Sequence, residues 1–398
     1  MRLKLTSFKI LLFLVLTLTI DNFTYGQKLS QDAEISLLTC SPGDELYSLY
    51  GHSALRIKDT DNKLDITFGY GTFNFNTPNF YTKFARGKLD YMLSYSPTDR
   101  FKQEYTDEKR GIVEQVLNLD SLEKQQLFNA LVHNYKPENR YYKYDFLFDN
   151  CSTRIRDIVE ANINGELVFN SEAPSPKTFW NLLDPFMAKS RWIFLGIHLA
   201  LGIPCDEVAT PYQYMFLPDN MMDGFTEAKI IKGDLKTNLV KSTKVILEPE
   251  IQLHTTDWFK RPIFIFGVIA IIGLFLSLYY LKKKKNLFVF DTILFGACGL
   301  LGWLIIFLWF FTDHQATGPN WNIIWAFPLH FPIAFTLLRK RTSLFTYYYF
   351  LIQVLILSLI IAVWPFFPQS FPNEILPLVV LLLIRSIYII KKLRDRLI

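Results

Sequence analysis

From Arg261 to the C-terminus the chain is dominated by apolar runs, at 262–281, 292–311, 321–338, 344–364 and 375–390. Each is near the roughly 20 residues that a helix needs to cross hydrocarbon. Lipid offers no partner to an open backbone, so such runs are expected to fold as helices. Residues 261–398 therefore read as an all-α membrane domain of five spans. The last run is short and carries Arg385, which can snorkel toward a headgroup if it lies near one end of the helix.

The loops between these runs give the orientation. "LKKKKN" follows the first, "RKRTS" the third and "KKLRDR" the fifth, whereas "TDHQATGPNWN" and "PFFPQSFPNE" contain no Lys or Arg. Basic loops stay inside, so the segment before Arg261 lies outside the cytoplasm. Much of the net charge of +5 sits in these basic loops. It orients the protein and implies no nucleic-acid partner.

The N-terminus agrees with this topology. Arg2, Lys4 and Lys9 precede an apolar run from Ile10 to Ile20 and a small-residue exit at Gly26. That is the layout of a secretory signal peptide over 1–26. Between it and the membrane domain the chain is soluble in character and long enough to bury a sizeable core. We divide it into a domain at 27–190 and an α-rich extension and linker at 191–260.

Four cysteines are present: Cys40, Cys151, Cys205 and Cys298. Cys298 falls in a span beside Gly296 and Gly299 and reads as a small packing residue. Three remain in an oxidising compartment, so at least one stays free or pairs with another chain. A Cys40–Cys205 bridge would leave Cys151 over.

Two segments carry the candidate chemistry. "YGHSALRIKD" alternates as a strand, with Ser53, Leu55 and Ile57 on one face and His52, Ala54, Arg56 and Lys58 on the other. "KLDITFGYGTFNF" follows as a second strand, broken by Gly69 and Gly71. Further on, "DFLFDNCSTRIRDIV" changes from an extended pattern to Ile155, Ile158 and Val159 at helical spacing. Asp149, Asn150 and Ser152 offer cap chemistry, which sets Cys151 at a helix start. There the dipole and unpaired amides favour a thiolate and can hold an oxyanion. A strand-borne His52 with a helix-start Cys151 is the working arrangement of papain-like enzymes. By themselves the same residues also suit an inert buried thiol and a structural imidazole.

"YGHSALRI", "FGYGTFNF", "YDFLFDNCSTRIRD" and "GPNWNIIWAFPL" together resemble the Bacteroidetes membrane proteins that carry the Lnb N-terminal periplasmic domain. The resemblance runs through essentially the whole mature chain. It implies an α+β fold, a circularly permuted papain-like domain related to lecithin–retinol acyltransferase, followed by the membrane helices. It implies an apolipoprotein N-acyltransferase of the bacterial inner membrane with its catalytic domain in the periplasm. A phospholipid is then the acyl donor, and the α-amine of a diacylglyceryl-cysteine lipoprotein is the acceptor. Cys151 would be the nucleophile and His52 the general base. The relatives' second histidine has no counterpart here, and Asp65 is the nearest orienting group, with Tyr70 a weaker one.

Asn150 and Ser152 would serve as oxyanion or capping groups. Tyr70, Arg56, His314, Asn320 and Asn322 are the further substrate-binding candidates. The apolar stretch around Trp180, Trp192 and Phe194 reads as an interfacial helix or as a buried core helix, with His198 then a core histidine. No cofactor is implied, and no metal-ligand spacing occurs. The competing readings are a membrane-anchored hydrolase on the same scaffold and a non-enzymatic envelope scaffold.

Overall fold

The computed structural model describes residues 27–172, 175–250, 257–283, 286–339 and 343–397. The expected signal segment lies outside them. The outer part is built on a seven-stranded sheet. Its strands are β1 (Glu34–Cys40), β2 (His52–Asp59), β3 (Leu64–Thr72), β4 (Asp90–Pro97), β5 (Ile112–Leu117), β6 (Tyr141–Lys143) and β7 (Val240–Leu247). They lie in the order β7-β5-β1-β2-β3-β4-β6, and every pairing is antiparallel. Helices α1 (Phe80–Ala85), α2 (Thr98–Asp107), α3 (Ser121–Tyr135) and α4 (Cys151–Glu160) accompany it.

The period of two along β2 divides its side chains between the sheet's faces. Leu55 and Ile57 join Ile155 and Val159 of α4 and Leu127 of α3 in the larger core. Ala54 joins Leu38, Cys40 and the α2 residues Phe101 and Tyr105 in a smaller core. The segment read as an α-rich extension differs from expectation. It supplies β7 at one edge of the sheet, and residues 229–232 and 235–238 form a small sheet with 166–168. Alternation over a few polar residues is a weak signal, and it was resolved only by pairing with β5.

Four helices are long and apolar enough to cross a membrane among the described residues. With α5 (Arg191–Ala200) preceding them in the chain, they are α6 (Pro262–Lys282), α7 (Phe288–Phe310), α9 (Leu344–Ala362) and α10 (Leu376–Leu397). The expected third span, 321–338, is not one continuous helix. It holds a 3-10 turn at Trp321–Ile324 and α8 (His330–Thr336), only seven residues long. Pro319, Pro328 and Pro332 withhold the backbone donors that a continuous helix needs.

Arg385 also departs from expectation, since it does not snorkel. It is fully buried, donating through Nε and Nη2 to Asp291 at 2.6 and 2.9 Å and through Nη1 to the Ser277 hydroxyl at 2.7 Å. One guanidinium thus fastens α10 to α7 and α6, because a charge in this setting needs a paired partner.

α5 joins the two halves of the molecule. Asn320 donates to the carbonyls of Leu199, Ala200 and Leu201 at the end of α5, and Trp192 donates to the Lys260 carbonyl at 2.8 Å. Arg191 pairs with Glu374, next to the start of α10. His198 stacks on Trp180 with ring centroids 3.5 Å apart, as a core histidine.

Candidate active site

The sequence places Cys151 by capping α4. Asn150 accepts hydrogen bonds at Oδ1 from the amides of Ser152 (2.9 Å) and Thr153 (3.0 Å). Its own amide donates to the Thr153 hydroxyl at 2.8 Å, completing a capping box. Its Nδ2 donates to the carbonyls of Phe146 and Phe216, both at 2.9 Å. Asn150 is thus a fully engaged cap, with no donor left for an oxyanion. Ser152 is buried, its hydroxyl 3.0 Å from that of Ser53.

The sheet makes room for the cysteine end of α4. The β2–β3 ladder runs from Asp59↔Leu64 to Leu55↔Phe68, leaving His52, Ser53 and Ala54 outside it. β3 then shifts register against β4 between Gly69 and Thr72. In the opening, the Ser53 amide is directed at the Cys151 sulfur, while Ser53 keeps its register with Thr39 of β1.

Two glycines of β3 shape the same place. A Cβ on Gly71 would lie 3.7 Å from the Cys151 Cβ, and its φ of +91° suits glycine. A Cβ on Gly69 would lie 3.2 Å from His52 Nε2, tighter than an unshifted ring tolerates. The imidazole and the thiol-bearing residue therefore abut alternate residues of one strand. Both keep partial exposure.

The protonation states differ from the sequence expectation. Burial raises the Cys151 thiol above its ordinary value, outweighing hydrogen bonds from the Ser53 amide, the Ser152 hydroxyl and the amides of Ser152 and Cys151. Burial, with the nearby charge of Arg110, lowers His52 to about 4. At neutral pH the resting groups are a thiol and a neutral imidazole, not an ion pair. A neutral imidazole is the form able to accept a proton.

The family model for the Lnb N-terminal periplasmic domain matches residues 21–185, and that for the Lnb transmembrane domain matches 254–396. The chain belongs to the Lnb family. It is a multi-pass membrane protein with a periplasmic N-terminal domain. The first Lnb match contains both His52 and Cys151, and the second contains all four long apolar helices. No curated protein and no solved structure matches the chain.

Several residues expected at the Lnb site are elsewhere. Asp65 lies opposite Lys58 in the β2–β3 register, at the far end of the strand from His52. It pairs with Arg56, whose Nε and Nη2 reach its two oxygens at 2.8 and 2.5 Å. Arg56 also contacts Glu114 at 3.1 Å, so it belongs to an internal charge network rather than a substrate surface. Six residues of strand, about 20 Å, separate the register position of Asp65 from His52. No hydrogen-bond partner of the His52 ring occurs among the described residues.

Tyr70 is buried in the larger core, its hydroxyl accepting from Asn134 at 2.8 Å. Asn320 and Asn322 are buried and hold the end of α5, Asn322 donating to the His198 carbonyl at 3.3 Å. His314 lies on the periplasmic domain, its Nε2 3.2 Å from the Phe84 carbonyl oxygen. All four cysteines are free. Cys40 faces His52 across the β1–β2 ladder, whereas Cys205 packs with Phe179 and Trp180 in a different cluster.

The structure adds residues that spacing did not single out. Cys40, pushed up to about 12 by burial, is an inert neighbour of His52. Arg110 is buried with Nε on the Ser41 carbonyl at 2.8 Å. The Tyr144 ring would lie 3.7 Å from a Cβ on Gly71, as Cys151 does, and so flanks the cysteine. The Gly69-x-Gly71 pair was the sequence signal here, although the strand runs through it with a register shift against β4 and is not broken. Among the described residues no group of three or more His, Cys, Asp or Glu is arranged to hold a metal ion.

Proposed function

We propose that this Lnb-family protein is an apolipoprotein N-acyltransferase of the bacterial inner membrane, with Cys151 as nucleophile and His52 as general base. The observation that carries the reading is that His52 lies against Gly69 and Cys151 against Gly71, two residues apart on one strand, with Cys151 at a capped helix start. Strand histidine before helix cysteine is also the order expected of a permuted papain-like domain.

In the proposed reaction, the Cys151 proton passes to His52 as sulfur attacks an ester carbonyl of a phospholipid. The amides of Ser53 and Cys151 are the donors at hand for the oxyanion. The lysophospholipid leaves with the proton from His52, and the acyl group remains as a thioester. The α-amine of a diacylglyceryl-cysteine lipoprotein then attacks, yielding its proton to His52 while the acyl chain moves to nitrogen. The sulfur recovers that proton. Anchoring by membrane helices holds the site where both lipid substrates reside.

The test is the intact mass of a lipoprotein N-terminal peptide made with and without the protein. Gain of one acyl chain, with an acyl-enzyme trapped on Cys151, supports the transferase. A free fatty acid product without acylated peptide points to a hydrolase on the same site. No acyl-enzyme and no product points to a scaffold.

A further inference from the structure

We propose that the cleft between α1 and the outer end of α7 is a docking site for a glycerophospholipid, held there by its phosphodiester before acyl transfer. The cleft encloses about 580 Å³ and is lined by Arg86 and Lys88 from the sheet domain and by Phe307, Phe310 and Phe311 from α7 and the residue after it. It is a junction of unlike surfaces. The phenylalanines end an apolar helix at the non-cytoplasmic side of the bilayer, and the two cations stand at headgroup level above them.

The cleft is held open by backbone contacts rather than by the cations themselves. The Asp313 amide donates to the Arg86 carbonyl at 2.9 Å, and the His314 ring meets the Phe84 carbonyl. The Lys88 ammonium is 3.9 Å from Asp313, an exposed and weak pairing. Thr82, Thr312 and Asp313 complete the lining, so two cations face one carboxylate. An arginine fork and a lysine point charge over an apolar wall match a phosphodiester whose chains enter hydrocarbon.

An aromatic strip leads from this cleft to the cysteine. Phe84 and Phe80 have ring centroids 6.3 Å apart, Phe80 and Phe73 5.8 Å, and Phe73 and Tyr91 5.4 Å. Tyr91 stacks on Tyr144 at 4.5 Å, and Tyr144 flanks Cys151. Phe73, Phe80, Tyr91 and Tyr144 are all half-buried, as the floor of a groove and not a sealed core. An acyl ester leaving the cleft meets an apolar path to Cys151. The donor role of this lipid rests on the function proposed above, whereas its binding does not.

Native mass spectrometry of the detergent-solubilised full chain with phosphatidylethanolamine tests the site. Wild type and Cys151→Ser are expected to retain bound phosphatidylethanolamine. The double variant Arg86→Glu/Lys88→Glu is expected to bind it at least about tenfold more weakly, as the like charge of the carboxylates repels the phosphodiester. Arg86→Lys/Lys88→Arg serves as the folding control and is expected to keep binding. Diacylglycerol, which lacks the phosphate, and inorganic phosphate, which lacks the chains, are each expected not to displace the phospholipid. Equal binding by the charge-reversed variant, or equal displacement by either competitor, overturns the proposal. Binding that needs Arg86 and Lys88 in a protein whose Cys151 is never acylated would keep the docking site and remove the transferase reading.

Discussion

The hydroxyls of Ser53 and Ser152 lie 3.0 Å apart across 99 positions of chain, joining the residue after His52 to the residue after Cys151. Both are fully buried. This hydrogen bond, with the Ser53 amide directed at the Cys151 sulfur, ties the histidine strand to the cysteine helix.

Ser152→Ala strands the Ser53 hydroxyl in the core and is expected to cost about 1–3 kcal/mol, whereas Ser53→Ala leaves the Ser152 hydroxyl its contact with the Cys151 sulfur and is expected to cost less. The double variant should cost less than the two singles added, because no unpaired hydroxyl remains. Thermal or denaturant unfolding of the full chain in detergent reads this coupling. Additive losses would show that the contact does not hold the two elements together.

His52 and Asp65 separate cleanly by position. Loss of a general base typically reduces rate by about 10²–10⁴-fold, which is the effect expected for His52→Ala on transfer of the third acyl chain. Asp65→Asn is expected to leave the rate within a few-fold, since its partner is Arg56 and not the imidazole. A loss on Asp65→Asn as large as that on His52→Ala would contradict the register.

The pH dependence has a definite sign. With the Cys151 thiol raised and His52 lowered to about 4, the resting pair carries no charge at pH 7. Alkylation of Cys151 by iodoacetamide is expected to be slow from pH 5 to 7 and to climb about tenfold per pH unit as thiolate forms, with no plateau below about pH 9. Fast alkylation near pH 5 would instead reveal a preformed thiolate–imidazolium pair. For stability, an imidazole held neutral in the fold takes up its proton only on unfolding, so His52 favours unfolding as pH falls from 6.5 toward 4. His198, lowered to about 3 by burial, adds to that loss over the same window and slightly below it.

Arg385 and Asp291 make the sharpest stability prediction in the membrane domain. Arg385→Ala leaves a buried carboxylate and Asp291→Ala a buried guanidinium, and each is expected to cost about 3–5 kcal/mol. Replacing both by apolar residues of similar size, Arg385→Met with Asp291→Leu, is expected to recover most of the loss. Folded yield and thermal unfolding in detergent distinguish these outcomes.

The local pattern of β2 was legible in the sequence because alternation alone assigns Leu55 and Ile57 to one face and Ala54 to the other. The start of α4 at Cys151 was legible for the same kind of reason, since caps and i, i+3, i+4 spacing are short-range. The outside position of the soluble domain followed from basic residues in alternate loops. Asp65 was misassigned because its role depends on strand register, which a single strand does not encode. Arg385 was misassigned because its partner, Asp291, lies on another helix. The broken third apolar run shows that composition measures transfer to lipid, whereas prolines decide whether a helix continues.

By itself, then, the sequence determined the topology, the strand carrying His52 and the helix beginning at Cys151, all set by local periodicity, capping and charge. Tertiary structure alone decided that Gly69 and Gly71 receive those two residues, that burial holds the pair neutral, and that α1 meets α7 in a cationic cleft. These depend on desolvation and on contacts between distant segments, which exist only once the chain has packed.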